Sequence, residues 1–259
     1  MGRNKPVFVC GAGARSGSTL VQRVVNCHPD AWIWGELGRC TEALLADLLE
    51  AAIGNYALFR EEHERLLPRL EAGEPLHDEW VAHLGPRPER LRQAARDFLE
   101  AWLRVRRIWG FKSVHFGRHV PVLAELFPEA RFIVIFRNPY EQVSSWPTSI
   151  SKDRSFGDVV PRIAQAYREL LSACEGLGQR ALVLDLGAVK AAPRRAVEAI
   201  FSFIGEDVPK LAFEAVRLVV RGPAGSPVPL PVAVRERVRS ELVPLYEAML
   251  ERASPLGLA

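Results

Sequence analysis

Short apolar runs alternate along the chain with segments whose apolar residues recur every three or four positions. Val7-Phe8-Val9-Cys10, set between Pro6 and Gly11, predicts a strand buried on both faces. Leu20, Val21, Val24 and Val25 then share one face of a helix. Ala31–Gly35, Ile108–Val114 and 181–186 read as extended, and Arg131–Phe136 (RFIVIF) is the strongest strand of all. Helices are expected at 89–106, 118–126, 139–146, 158–175 and 193–204. The first carries Leu91, Ala94, Ala95, Phe98, Leu99, Trp102 and Leu103 in one stripe. A last helix places Val234, Val238, Leu242, Leu245 and Met249 in phase, and polar loops fall near 147–157 and 221–231. This alternation predicts an α/β fold: a parallel β-sheet flanked by helices on both faces. Residues 1–259 are expected to form a single domain, with 39–107 as a mostly helical insertion. Ligands of such sheets bind outside the carboxyl ends of the strands.

Composition narrows the class without naming it. The 259 residues are 48% hydrophobic and 25% charged, which excludes a disordered chain and a disulfide-stapled miniprotein. A net charge of +3 is too small to signal a nucleic-acid binder. Lysine occurs only at 5, 112, 152, 190 and 210, so the basic charge is mostly arginine. Arginine suits bidentate capture of anions, although codon usage accounts for the same bias. Cys10, Cys27, Cys40 and Cys174 form no CxxC pair and are expected to be structural thiols. The start of the chain lacks the pattern of a secretory signal, and no run of about 18 apolar residues is present to span a membrane. A cytoplasmic protein is the expectation.

The first strand ends in Gly11-Ala12-Gly13-Ala14-Arg15-Ser16-Gly17-Ser18-Thr19-Leu20, which opens the first helix. Small residues let backbone N–H groups converge on an anion, and the helix terminus adds unpaired donors and partial positive charge. Ser16, Ser18 and Thr19 add hydroxyls, and Arg15 a fixed cation. The spacing is not that of a Walker loop: five residues separate Gly11 from Gly17, and Ser18 stands where that motif needs lysine. Ordinary NTP hydrolysis is therefore disfavoured. The strand RFIVIF ends in Arg137, with Pro139 suited to a first helical turn and Ser145 two turns on. Arg137 and Ser145 make a second candidate anion site at the same sheet edge.

The two sites together resemble those of sulfotransferases that use 3′-phosphoadenosine 5′-phosphosulfate (PAPS), above all a bacterial branch similar to protein-tyrosine sulfotransferases. The matching stretches are ARSGSTL at 14–20, CHPDAWIWGE at 27–36, WGFKS at 109–113 and FPEARFIVIFRNPYEQVSS at 127–145, with a weaker match at 201–209. The resemblance implies a P-loop-type sheet and no metal. It assigns the 5′-phosphosulfate to Arg15, Ser16, Gly17, Ser18, Thr19 and Leu20, and the 3′-phosphate to Arg137 and Ser145. Two departures stand out. Leu186-Gly187-Ala188-Val189 replaces the family's Tyr-Glu-Asp-Leu, whose tyrosine packs adenine. Lys112-Ser113-Val114 lacks the family's proline.

In-line sulfuryl transfer asks the protein mainly for positioning and charge stabilisation. Arg15 and Lys112 are the candidate cations for the departing bridging oxygen. Glu36 is the candidate base, since Gly35-Glu36 matches the resembled branch. Strand alternation puts it beside Trp32 and Trp34, apolar neighbours expected to raise its pKa. His115 is the alternative base. The His115/His119 spacing lacks the glutamate of a zinc helix motif. Arg104, Arg106 and Arg107 are expected to sit at a helix carboxyl end, with acceptor binding as the second reading. Arg221 and Ser226 are expected to close over the 3′-phosphate. A small-molecule, lipid or sugar hydroxyl is the expected acceptor, and nucleic acid is not an expected partner. A small-molecule kinase and a non-catalytic nucleotide-binding protein remain the rival readings.

Overall fold

Five strands form one parallel sheet in the order β2-β3-β1-β4-β5. They are β1 (Lys5–Gly11), β2 (Ala31–Trp34), β3 (Ile108–Ser113), β4 (Arg131–Phe136) and β5 (Ala181–Asp185). The computed structural model describes residues 4–37, 47, 50–51, 53–77, 79, 84–114, 117–146, 156–220, 228–254 and 256. His115, Cys40, Arg221, Ser226 and most of both expected polar loops lie outside the described residues.

The helices are α1 (Ser18–Val25), α2 (Arg60–Glu71), α3 (Pro88–Leu103), α4 (Val120–Leu126), α5 (Pro139–Ser144) and α6 (Phe156–Leu177), then α7 (Leu186–Ala191), α8 (Pro193–Ile204), α9 (Lys210–Val220), α10 (Val232–Arg237) and α11 (Val243–Arg252). Side chains alternate across the sheet. Val7, Val9, Ile133, Ile135, Leu182 and Leu184 pack with α1, α7, α8 and α9 on one face. On the other, Phe8 meets Trp109, Phe111, Phe127 and Phe132, and Phe136 meets Tyr167 of α6 and Tyr246 of α11. The sheet is thus buried on both sides, which is why its strands read as nearly unbroken apolar runs.

Sequence periodicity overlooks α7 and α9, which are short or close behind another element. The last helix is interrupted by a π-helical segment, Val238–Leu242. Pro244 follows in the first turn of α11 and cannot donate the next helical hydrogen bond, so the ladder widens before it. Val238, Leu242 and Met249 nevertheless stay buried, as their phase requires.

The chain divides into two compact units, Met1–Leu37 with Leu103–Ala259, and Gly38–Trp102. In the second, His63 is buried, its Nδ1 2.8 Å from the Phe59 carbonyl and its Nε2 accepting the Gly85 N–H at 3.0 Å. The stripe expected on α3 is only partly a core face. Ala95 and Leu99 are buried, but Phe98 and Trp102 are exposed and lie against each other. Among the described residues, no helix is long and apolar enough to cross a membrane.

Candidate functional site

The carboxyl ends of β1, β3 and β4 bring the sequence-selected residues together. β1 runs into a turn that is tied to β4 by the Ala12 N–H on the Ile135 carbonyl, 2.9 Å. Arg15 has φ 68°, the sole non-glycine residue in the left-handed region among those described. Such strain persists where surrounding contacts enforce it, often at ligand sites. Gly17, at φ 105°, caps α1 without any side-chain hydrogen bond, so no hydroxyl is spent on the cap. A Cβ at Gly17 would fall 2.9 Å from Leu186 Cδ1, and one at Gly11 2.4 Å from Ser16 Oγ. Both positions therefore exclude a side chain.

Ser16 is fully buried, and its hydroxyl has no hydrogen-bond partner. An unsatisfied buried hydroxyl costs about 1–3 kcal/mol and calls for a specific explanation. Ser18 is buried beside it, while Arg15 and Thr19 are exposed. The N–H groups of Ser18 and Thr19 have no acceptor inside the helix they begin. Arg15 has no ion-pair partner among the described residues. Leu20 is the exception in this stretch. Its side chain lies in the core and its N–H bonds the Gly17 carbonyl at 2.9 Å, so it offers a ligand nothing.

Arg137 leaves the end of β4 and reaches both ways. Its Nη1 lies 3.4 Å from the Arg15 carbonyl and 3.4 Å from Ser145 Oγ. The two candidate anion sites are thus neighbours on one sheet edge. Nε and Nη2 of Arg137 hold Glu141 Oε2 at 3.1 and 2.9 Å. Burial raises the Glu141 pKa, but Arg137 and Lys190 outweigh it and leave the carboxyl below its ordinary range. Asn138 caps α5 by accepting the N–H groups of Tyr140 and Glu141.

On the other flank of β1, Lys112 of β3 stands opposite Val9 in register. Its Nζ holds Glu36 Oε1 at 2.5 Å. The candidate base and the candidate cation therefore meet, although 76 positions separate them in sequence. The apolar surroundings expected for Glu36 are not what its carboxylate meets. Trp32 and Trp34 do contact each other edge-on, but the Trp34 indole donates to the Leu103 carbonyl, and Glu36 is 44% exposed with Lys112 as its partner. One member of the arginine cluster, Arg107, departs from the expectation of a helix-end role. Arg107 binds Glu206 through two contacts of 2.8 Å at the opposite end of the sheet, a structural role.

Two side chains that sequence reasoning passed over complete the arrangement. Gln142 is fully buried, and its Nε2 donates to the carbonyls of Ala12 and Ala14 at 2.7 and 2.8 Å. The Tyr167 hydroxyl donates to the Arg137 carbonyl at 2.5 Å. A polar residue on the apolar face of a helix predicted at 139–146 was the available signal for Gln142. Among the described residues, no group of three or more metal-ligating side chains stands together.

The sheet edge thus carries a turn of small residues at a helix N-terminus, an arginine with a hydroxyl partner, and a lysine–glutamate pair. The sulfotransferase family model matches residues 6–210, and the chain belongs to that family. Its chemistry is sulfuryl transfer. The fold is that of a sulfotransferase from Alicyclobacillus acidocaldarius, with 15% identity, 98% of each chain covered and a TM-score of 0.54. It is also that of the sulfotransferase domain from the Synechococcus PCC 7002 olefin synthase, with 18% identity, 99% and 98% covered and a TM-score of 0.52. No curated protein sequence matches.

Proposed function

We propose that the donor is PAPS and that the acceptor is a hydroxyl of a small molecule, lipid or sugar. The observation that carries this reading is the Arg137 bridge, 3.4 Å from the Arg15 carbonyl on one side and from Ser145 on the other. A nucleotide with one charged group at its 5′ end and another at its 3′ carbon needs two anion sites that share a border.

In this reading Ser16, Gly17, Ser18 and Thr19 hold the 5′-phosphosulfate, with Arg15 as the cation over it. Arg137 and Ser145 hold the 3′-phosphate. Lys112 steadies the bridging oxygen as the S–O bond breaks, and Glu36 accepts the acceptor's proton as the new bond forms. Lys112 is carried on β3, and Glu36 follows two residues after the end of the neighbouring parallel strand β2, so the pair is anchored from adjacent strand ends. Their mutual ion pair holds both side chains at the same edge until donor and acceptor enter. His115 is the alternative base. No metal is part of the proposal, since the moving group carries less charge than a phosphoryl and arginine and lysine supply the cations.

The deciding experiment is a thermal-shift comparison of 3′,5′-adenosine bisphosphate, ADP and ATP, each with and without Mg²⁺. Binding to the folded state alone raises the melting temperature. Strong stabilisation by the bisphosphate, independent of Mg²⁺, is the expected result. A preference for ATP with Mg²⁺ overturns the reading in favour of a kinase.

A further inference from the structure

Gln142 and Tyr167 lie outside every group assigned a role above, yet both are buried at the junction of the two anion sites. Gln142 spends both hydrogens of its amide on the carbonyls of Ala12 and Ala14. In a trans peptide the N–H points away from the C=O. Fixing the Ala14 carbonyl therefore fixes the direction of the Arg15 N–H, at the one non-glycine residue among those described that is held in the left-handed region. Gly13 sits between the two pinned carbonyls, and a Cβ there would come 3.3 Å from Gln142 Nε2. The turn has little room to relax away from its brace.

Tyr167, on α6, does the same for the other site. Its hydroxyl donates to the Arg137 carbonyl at 2.5 Å and accepts the Arg137 N–H at 3.3 Å. It also lies 3.3 Å from Gln142 Oε1. Burial raises the phenol's pKa, so it stays protonated and remains a donor throughout the working pH range. One continuous set of contacts thus runs from the turn through Gln142 and Tyr167 to the backbone of Arg137.

We infer that Gln142 and Tyr167 are positioning residues that set the spacing between the two anion sites and so the selectivity for a doubly charged nucleotide. This rests on the reading of the site given above. A core polar cluster with a purely structural role would support the fold without preferring one nucleotide. A spacer between subsites must show itself in the discrimination between a ligand that touches both and a ligand that touches one.

The test measures the affinities of 3′,5′-adenosine bisphosphate and of 5′-AMP for the wild type, Tyr167→Phe, Gln142→Met and the double variant, with melting curves in the absence of nucleotide. Tyr167→Phe removes one hydroxyl and keeps the ring, so it decides the matter even should Gln142→Met not fold. The expected result is a drop of about tenfold in bisphosphate affinity for Tyr167→Phe, with 5′-AMP nearly unchanged. The double variant should lose less than the product of the single losses, since both residues serve one network. An unchanged preference with only a lowered melting temperature overturns the inference. A wild type that shows no preference for the bisphosphate overturns the two-site reading itself, before any variant is compared.

Discussion

The two ends of the sheet use charge in opposite ways. At the amino end Glu206 accepts Arg107 through two contacts of 2.8 Å, pairs with Lys5 and lies 3.6 Å from His28. Asp30 adds a contact of 3.3 Å to Arg107. The Glu206 side chain is only 10% exposed, and these groups join the starts of β1, β2 and β3 to the end of α8. At the carboxyl end the cations are held by exposed partners. Lys112 is paired with Glu36 at 44% exposure, and Arg137 with Glu141 at 55%. The cations themselves are mostly buried, but each is paired through a carboxylate open to solvent, which screens the pair and lowers its contribution to stability. Charge at the amino end is built into the fold around a mostly buried carboxylate, whereas in the proposed function the charge at the carboxyl end is what a ligand takes over.

The largest test of that contrast is Glu36→Gln. If the Lys112–Glu36 pair is a resting contact of the catalytic groups, turnover should fall by roughly 10²–10⁴ while bisphosphate affinity is kept. Steady-state rates beside a calorimetric titration separate the two. Retained turnover would reduce the pair to a surface ion pair and pass the base role to His115.

Arg137→Ala comes next. Losing a charge-assisted contact to an anion should weaken bisphosphate binding roughly tenfold to hundredfold, with 5′-AMP affected far less. Equal losses for both ligands would mean that Arg137 serves the turn and not a separate site.

Much of the carboxyl end was legible in the sequence, because its chemistry is local. The turn from Gly11 to Thr19 and the Arg137–Ser145 pair each lie on one continuous stretch behind an apolar strand. The strand pattern also gave the sheet, since burial on both faces leaves an unmistakable apolar run. The partnership of Glu36 with Lys112 was not legible as a contact. It depends on the parallel register of β2 with β3, in which Trp34 faces Phe111. The Gln142–Tyr167 link crosses 25 positions and two helices, and a lone polar residue in an apolar stripe does not announce its partner. Arg107 was misread for a related reason. A basic cluster after a helix looks like dipole complementation until Glu206, 99 positions away, is brought against it.

The amino end makes the next prediction. Glu206→Gln should lower stability by about 1.5 kcal/mol, read from denaturant unfolding, with turnover unchanged. A loss of activity without loss of stability would break the division of labour between the two ends.

The same carboxylate gives the finest test, in acid. Arg107 foremost, then Lys5, lower the pKa of Glu206 from its ordinary 4.5 to about 2, against the opposing effect of burial. A depressed folded-state pKa means that the unfolded chain binds the proton more readily. The stabilisation is therefore complete above about pH 4.5 and is lost as pH falls toward 2. Wild type and Glu206→Gln should differ most near neutrality, and their unfolding free energies should converge through that window. Glu141 is also held below the ordinary carboxyl range, but its exposure to solvent screens the contribution. A Glu141→Gln variant should accordingly run nearly parallel to the wild type over the same pH range. Convergence in the Glu141 variant as steep as in the Glu206 variant would show that the carboxyl end, too, uses its charge for the fold.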